Sequence, residues 1–383
     1  MRSAGSTEVR LVDHHCHGVL RGELDRAGFE ALLSEGGAPP PGLSTFDTPL
    51  GLAVRRHCAP VLDLPPHAGP DDYLARRAEL GSAEVARRLL RTSGVDAFCV
   101  DTGFRGGELT TPAELAALAG GTAHEVVRLE TVAESLADGD PGDFAARFRE
   151  ALVTAVARTG AVAVKSVAAY RCGLELLPAP PPPAVLAEAV AHRRPGPVRS
   201  TVISSALVWT AVSLGLPVQF HVGYGDRDLT LHRSDPSLLT AFLHAVPPEV
   251  PVLLLHCYPY HRTAGYLAAV YGNVYVDVGL ALNHLGPSRA GALSAEAMDG
   301  VPFGKMLYSS DAFGLPELYA LGALTFRRGL AEVLDSWVSA GECTRADAER
   351  IAVMIGSGNA ERVYGLGQTR PVHSGAGVGR PMK

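Results

Sequence analysis

The stretch LVDHHCHG, residues 11–18, places an aspartate and three histidines at the end of a short apolar run. The apolar run predicts a buried β-strand, and polar side chains there need a reason because burying them costs free energy. His15 and His17 are two residues apart, so both side chains point to one face of the strand, whereas His14 points to the other. The pair on one face could chelate a metal ion; the alternative is a chance His-x-His in an N-terminal strand.

Seven further β-rich runs follow the same design, in which an apolar stretch ends in a polar residue and then a turn. With the first, the eight runs cover residues 9–17, 96–103, 125–131, 161–168, 217–223, 251–259, 273–279 and 305–314. The segments between them mostly show helical spacing of apolar residues. Apolar strands that alternate with helices predict the α/β class and a (β/α)8 barrel. An open doubly wound sheet is the alternative, but histidines occupy the place of its Gly-rich first turn.

Two stretches interrupt the repeat of strand and helix. Residues 20–95 separate the first two strands and contain helical patterns, so we predict a helical cap insertion that lies over the active site. The proline run within residues 176–200 predicts a surface connection. We therefore expect one domain over residues 1–366, followed by a flexible tail over residues 367–383.

Composition limits the classes of protein that this chain can represent. The 383 residues are 47% hydrophobic and 19% charged with a net charge of −6, which predicts a large core and no nucleic-acid partner. The six cysteines form no CxxC pair, and no apolar signal core or membrane-length apolar run occurs. We therefore expect a cytoplasmic protein without a membrane partner. Homo-oligomer formation is left open.

Polar residues stand at the ends of the predicted strands, and these ends converge on one face of a barrel. The candidates are His15, His17, Asp101, Glu130, Lys165, His221, His256, Asp277 and Asp311. Any one of the histidines could be a core residue with satisfied hydrogen bonds, and Asp311 alone could cap a helix. Their joint order is more informative: His-x-His on the first strand, single histidines on the fifth and sixth, and an aspartate on the eighth. This order predicts a metal site.

The strand order and several phrases resemble the amidohydrolase superfamily. The matching phrases are VDHHCHG, KSVAAYRCGLEL, PVQFHVGYGDRDLTLHRSDPSLL, HCYPYHRTAGYLAAVYGNVYVDVGL, SSDAFGLPELYALGA and GNAERVYGL, which span residues 11–366. Within the superfamily, the chain resembles the amidohydrolase modules of nodulin-like and fungal developmental proteins that are fused to glutamine-synthetase-like domains. We expect no such second domain here, because the barrel uses the whole length.

The resemblance implies a role for most of the strand-end residues. The implied metal ligands are His15, His17, His221 and Asp311. Asp311 would also accept a proton, and His256 would bind a second metal or polarise water or substrate. Lys165 would be carboxylated and bridge two ions; alternatively, its ammonium group binds a substrate carboxylate or pairs with Glu130. We expect one divalent ion, Zn²⁺ first with Mn²⁺, Fe²⁺ or Co²⁺ as alternatives, and leave the second ion open.

The implied reaction is hydrolysis of the C–N bond of a small amide by a metal-activated water. A carboxylate-bearing substrate such as a γ-glutamyl conjugate is expected by analogy with the fusion partners. The candidate substrate-binding residues are Arg76, Arg77, Tyr170, Arg171, Tyr224 and Arg227, although any one arginine could equally be a solvated surface charge. The alternatives are a metal-dependent decarboxylase or isomerase on the same scaffold, or a non-catalytic degenerate barrel.

Overall fold

The computed structural model describes residues 9–136 and 139–367. Seven strands of these residues form one parallel sheet in sequential order. They are β1 (Leu11–Cys16), β2 (Val95–Asp101), β3 (Thr122–Arg128), β4 (Ala163–Ser166), β5 (Val218–His221), β6 (Val252–Leu255) and β7 (Val274–Val276). The doubly wound alternative is wrong, because in such a sheet the strand order reverses at a switch point.

The eighth predicted strand, residues 305–314, does not form a regular strand, but it fills the gap between β7 and β1. Leu307 donates its backbone N–H to β7 at 3.0 Å, and the carbonyl of Tyr308 accepts from β1 at 3.0 Å. The segment therefore closes the barrel. Its ladder is irregular because Asp311 has a φ of 49°, in the left-handed region that no β-strand uses.

Helices fill the connections and cover the sheet. They are α1 (Arg26–Leu32), α2 (Pro49–Ala53), α3 (Pro70–Leu80), α4 (Ser82–Ser93), α5 (Pro112–Ala119), α6 (Leu129–Glu134), α7 (Phe144–Thr159), α8 (Ala168–Arg171), α9 (Pro183–Ala191), α10 (Thr201–Ser213), α11 (Thr240–Ala245), α12 (His261–Val270), α13 (Gly279–Leu285), α14 (Ala290–Met298), α15 (Pro316–Ala340), α16 (Arg345–Val353) and α17 (Asn359–Tyr364). None of the helices in the described part of the chain combines the length and the hydropathy that a membrane crossing needs.

The long stretch between β1 and β2 contains α1 to α4. Helix α4 packs against α5 and α15 and is thus the barrel helix that precedes β2. Earlier in the stretch, Glu35 reaches His284 of α13, with 3.4 Å between the carboxylate and the imidazole. Because α13 follows β7, this part of the stretch lies at the carboxyl ends of the strands. A cap formed by the whole of residues 20–95 stays a prediction, and residues 368–383 of the predicted tail lie outside the described residues.

A small apolar cluster lies inside the barrel, separate from the main core between sheet and helices. It contains Val12, Ala97, Cys99, Val126, Val162, Ala163, Leu253, Leu307, Ala360, Val363 and Tyr364. Ala360, Val363 and Tyr364 belong to α17, so this C-terminal helix packs against the inward-facing residues of the strands. Tyr364 is fully buried there. This places a residue from the end of the chain beneath the strand ends that carry the candidate site.

Candidate metal centre

The strand ends bring four histidines and one aspartate together. His15 lies in β1 and His17 just after it, His221 ends β5, His256 follows β6, and Asp311 lies in the segment that closes the barrel. One Asp311 carboxylate oxygen lies 3.2 Å from His15 Nε2 and 3.7 Å from His17 Nε2. The other lies 3.5 Å from His256 Nε2, whose ring centroid is 4.6 Å from that of His221. The five side chains therefore share one centre.

Two of these residues have strained backbone that hydrogen bonds hold in place. His256 has a φ of 69° and Asp311 a φ of 49°, a conformation that costs a non-glycine residue free energy. Asp277 Oδ1 accepts a hydrogen bond from the His256 backbone at 3.1 Å. The carbonyl of His15 accepts from the Asp311 backbone at 3.1 Å. Strain that the fold maintains in this way is typical of functional sites.

His15 and His17 are oriented through their Nδ1 atoms. His15 Nδ1 lies 3.0 Å from the side-chain carbonyl of Gln219, and His17 Nδ1 lies 3.0 Å from the backbone carbonyl of Asp101. Each contact requires a proton on Nδ1 and therefore leaves Nε2 of a neutral imidazole with a lone pair that faces the centre. Metal-binding histidines are commonly held by such a second hydrogen bond.

Burial sets the protonation of the cluster. It lowers the pKa of His15, His221 and His256 well below the usual value, and it lowers the pKa of His17 to about 4. Burial also raises the pKa of Asp311 to about 7, against the opposing effect of nearby positive charge. The histidines are therefore neutral, which is the form of imidazole that binds metal ions.

Several nitrogen atoms of the cluster lack partners among the described residues. His221 Nε2 and both ring nitrogens of His256 are buried and accept or donate no hydrogen bond there. Unpaired buried polar atoms are costly and rare. Gly225 lies against one of these atoms, since a Cβ at that position would be 2.8 Å from His221 Nε2. Unpaired imidazole nitrogens beside a carboxylate fit a divalent cation such as Zn²⁺.

Two overlapping sets of side chains have donor atoms within 4.8 Å of one another. They are His15 with His256 and Asp311, and His15 with His17 and Asp101. In the second set the Asp101 carboxylate is already engaged, because it binds Arg128 at 2.6 Å and accepts from the Gly103 backbone at 2.9 Å. Burial alone would raise the pKa of Asp101, but Arg128, His17 and Lys165 together outweigh burial, and the pKa lies below its usual value. The carboxylate of the second set is therefore less available to an ion than Asp311 of the first set.

Lys165 lies within the same cluster. Its Nζ is 3.0 Å from His15 Nε2, and burial lowers the pKa of the ammonium group to about 8. Glu130, one of the alternative partners for this lysine, bonds elsewhere: its carboxylate accepts from Ser166 Oγ at 2.7 Å and from the Val167 backbone at 3.0 Å. Lys165 therefore contacts the histidine cluster. Glu130 instead stabilises the loop after β4.

Four of the predicted substrate-binding residues follow β4 and β5. The Tyr170 ring packs on His221 with a centroid distance of 4.5 Å. Arg171 is next in the chain, and its Nε is buried without a partner among the described residues. Tyr224 is partly buried in the loop after His221, and Arg227 is exposed in the same loop. Tyr170 is therefore the member of this group that touches the cluster directly.

The other two predicted substrate-binding residues, Arg76 and Arg77, have different partners. The buried Arg77 side chain makes two hydrogen bonds to the Glu317 carboxylate, at 2.6 and 3.3 Å. Arg76 binds Asp63 at 2.7 Å and Glu79 at 2.8 Å. The expectation that one of these arginines faces the substrate is not met in this structure. Arg77 points instead at a carboxylate of α15 that is buried and needs a charged partner.

Two polar residues near the site were not expected from the sequence. Gln219 precedes His221 by two residues on β5, so the alternation of side chains along a strand would have placed both on the inward face. Tyr364 bonds His14 Nδ1 at 2.9 Å across 350 positions of sequence, and no local pattern indicates such a contact. The expectation that His14 faces away from the barrel interior is wrong, because its ring bonds Tyr364 and Asp277 inside the barrel. The pairing of β1 is irregular between Asp13 and Cys16, so side chains do not simply alternate there.

Comparison with known proteins supports the superfamily resemblance. The Amidohydrolase family model matches residues 65–366, a range that begins after β1. Protein fluG of Emericella nidulans is 27% identical over 407 aligned positions, which cover 94% of this chain and 46% of that protein. The chain thus spans about half the length of this curated relative.

Solved structures share the fold. A Lactobacillus casei protein described as a metal-dependent hydrolase is 29% identical, with a TM-score of 0.79 over 94% of this chain and 96% of its own. The glucuronate isomerase of Caulobacter crescentus, at 14% identity and a TM-score of 0.62 over 95% of this chain and 93% of its own, shows the barrel fold alone. Because the family model covers well over half of its 383 residues, the chain belongs to the Amidohydrolase family.

Proposed function

We propose that this protein is a metal-dependent hydrolase that cleaves the C–N bond of a small amide. The observation that carries the proposal is the convergence of buried, neutral imidazoles on Asp311, with ring nitrogens of His221 and His256 left without hydrogen-bond partners among the described residues. Family membership and the likeness to the Lactobacillus casei protein support it.

The residues that would hold the ion are His15, His17, His221 and Asp311. Zn²⁺ suits these nitrogen and carboxylate ligands best, and Mn²⁺, Fe²⁺ or Co²⁺ are compatible with the same set. When bound, a divalent ion lowers the pKa of a water molecule and polarises a carbonyl group.

Asp311 and His256 supply the groups that move protons and stabilise charge. The Asp311 carboxylate accepts a proton from the attacking water and passes it to the leaving nitrogen as the C–N bond breaks, which yields a carboxylate and an amine. Burial raises the pKa of the Asp311 carboxyl, which favours its uptake of the proton. We assign polarisation of the substrate carbonyl to His256, whose Nε2 lies 3.5 Å from Asp311.

Lys165, if carboxylated, could bind a second metal ion. A pKa of about 8 leaves part of its amine uncharged near neutral pH, and the uncharged amine is the form that takes up CO2 with release of a proton. The carboxylate so formed would begin at an Nζ that is 3.0 Å from His15 Nε2. We propose one essential ion, because three histidines and Asp311 complete a ligand set without the lysine.

We propose a carboxylate-bearing substrate, such as a γ-glutamyl amide, on the strength of one arginine. Arg171 follows Tyr170, whose ring packs on His221, and the buried Arg171 Nε has no partner among the described residues. A guanidinium binds a carboxylate well through paired hydrogen bonds. Arg76 and Arg77 are left out of this proposal because carboxylates of the chain already occupy them.

A turnover screen with the Zn²⁺-loaded protein tests the proposal. The substrates are γ-glutamyl amides and N-acyl amino acids, each tested beside the same compound with its free carboxylate converted to a carboxamide. We expect release of amine, faster from the carboxylate-bearing member of each pair, and Arg171→Ala should remove that preference. Release of CO2, or a product of unchanged mass, would instead assign a decarboxylase or an isomerase.

A further inference from the structure

A chain of buried hydrogen bonds connects His15 to Asp277 through the interior of the barrel. His15 Nδ1 lies 3.0 Å from Gln219 Oε1, and Gln219 Nε2 lies 2.8 Å from the Tyr364 hydroxyl. That hydroxyl lies 2.9 Å from His14 Nδ1, and His14 Nε2 lies 3.1 Å from Asp277 Oδ2. We call these five residues the interior chain; every one of them is fully or almost fully buried.

The amide of Gln219 fixes the direction of the first bond. Its Nε2 donates one hydrogen to the backbone carbonyl of His14 at 2.9 Å and the other to the Tyr364 hydroxyl. Both hydrogens of the amide are thus used, and Oε1 remains as an acceptor. The bond to His15 therefore requires the proton on His15 Nδ1, which leaves the lone pair on Nε2, the atom nearest Asp311.

The remaining bonds run in the same direction. The Tyr364 oxygen accepts from Gln219, so its single hydrogen is free to go to His14 Nδ1. His14 then carries its proton on Nε2 and donates it to Asp277. Each residue accepts from the one before and donates to the next, and the sequence ends on a buried carboxylate. Hydrogen bonds aligned in this way polarise and strengthen one another.

We propose that Tyr364, His14 and Asp277 act as positioning residues, which hold His15 through Gln219 in the one tautomer that can bind a metal ion by Nε2. This inference rests on the proposed function for the identity of the ligand, but the tautomer itself does not depend on it. An outer hydrogen-bond partner of a metal-binding histidine typically contributes about 10- to 100-fold to metal affinity.

Two contacts outside the interior chain agree with this assignment. Lys165 Nζ lies 3.0 Å from His15 Nε2, and an amine can donate there only if Nε2 carries the lone pair. The second oxygen of Asp277 accepts from the His256 backbone at 3.1 Å and from Ser309 Oγ at 2.8 Å. One carboxylate thus supports two histidines of the metal centre, His15 through side chains and His256 through its backbone.

The first test is made on the parent protein without metal, and a variant serves only to assign the signals. Side-chain nitrogen NMR of the chelator-treated protein, labelled in histidine, reports which ring nitrogen carries the proton. We expect His15 as the neutral tautomer protonated at Nδ1, assigned through loss of its signals in His15→Asn. A His15 protonated at Nε2 would overturn the proposal, whether or not any metal binds.

The second test uses Tyr364→Phe, which removes one hydroxyl and keeps the ring that lies on His14. Zn²⁺ affinity, measured by competition with a zinc-binding dye, should fall about 10- to 100-fold relative to the parent. The matched control is Tyr308→Phe, because the Tyr308 hydroxyl is equally buried but has no partner among the described residues. The control should bind Zn²⁺ as the parent does.

The outcomes separate this proposal from the proposed function. Parental Zn²⁺ affinity in a folded Tyr364→Phe protein would overturn the positioning role and leave the metal centre intact. A parent that binds no Zn²⁺ would contradict the metal-dependent function, and the tautomer measurement would still decide the orientation of His15. If Tyr364→Phe does not fold, Gln219→Met, which removes the acceptor for His15 Nδ1, is expected to show the same loss of affinity.

Discussion

Asp311→Asn is expected to lower kcat/KM about 10²-fold or more on any substrate that the parent hydrolyses, with the fold retained. Asparagine preserves the shape of the side chain but cannot accept a proton from water. It also tolerates the left-handed backbone, φ 49°, better than most residues, so the backbone of the closing segment should be kept. The measurement is steady-state kinetics at saturating Zn²⁺, with circular dichroism of the same preparation.

Asp63→Asn is the matched control for this substitution. Asp63 has a similar backbone, with a φ of 65°, but it is exposed and pairs with Arg76 and Arg88. The control should retain parental kcat/KM. Most of the parental activity in Asp311→Asn with its metal bound would show that Asp311 is not the proton acceptor.

Arg77→Ala is expected to destabilise the protein by about 3–5 kcal/mol, the typical result of leaving a buried partner charge unpaired. The Glu317 side chain is fully buried, and besides Arg77 it accepts a hydrogen bond from the Tyr73 hydroxyl at 2.7 Å. The guanidinium also packs over the Phe29 ring at 4.9 Å, so apolar contact is lost as well. Urea unfolding monitored by circular dichroism gives the change in the free energy of unfolding.

Arg76→Ala is the control, since Arg76 pairs with two largely exposed carboxylates and exposed pairs contribute only about 0–1 kcal/mol. The double variant Arg77→Met with Glu317→Leu should recover part of the lost stability, because it leaves no buried charge unpaired. Parental stability in Arg77→Ala, combined with a raised KM, would restore the sequence-based view that Arg77 binds substrate.

The sequence predicted the barrel and the centre because both depend on local patterns. Strands β1, β5 and β6 are short apolar runs with histidines at or just after their ends, and the two-residue spacing of His15 and His17 predicts that they share a face. The same rule fails for His14, because the pairing of β1 is irregular between Asp13 and Cys16. The segment around Asp311 has the apolar composition of a strand, but its left-handed residue breaks the ladder. A pattern of apolar residues carries no information about one φ angle.

Contacts between distant parts of the chain could not be predicted in the same way. The helical pattern of α3 shows that Arg76 and Arg77 face different directions. It does not show that Arg77 pairs with Glu317, which lies 240 positions later in the chain. Tyr364 reaches His14 only because α17 packs into the barrel interior. Both contacts depend on how whole helices pack against the barrel, and local sequence patterns do not reveal that packing.

The metal content of protein purified without chelator tests the central claim most directly. Elemental analysis should find at least one equivalent of a divalent transition metal per chain, and a His15→Asn/His221→Asn variant that keeps its fold should lose most of it. Removal of the metal by a chelator should abolish turnover, and Zn²⁺ should restore it. A folded protein that is active with no bound metal, or that binds as much metal without these two histidines, would contradict the account.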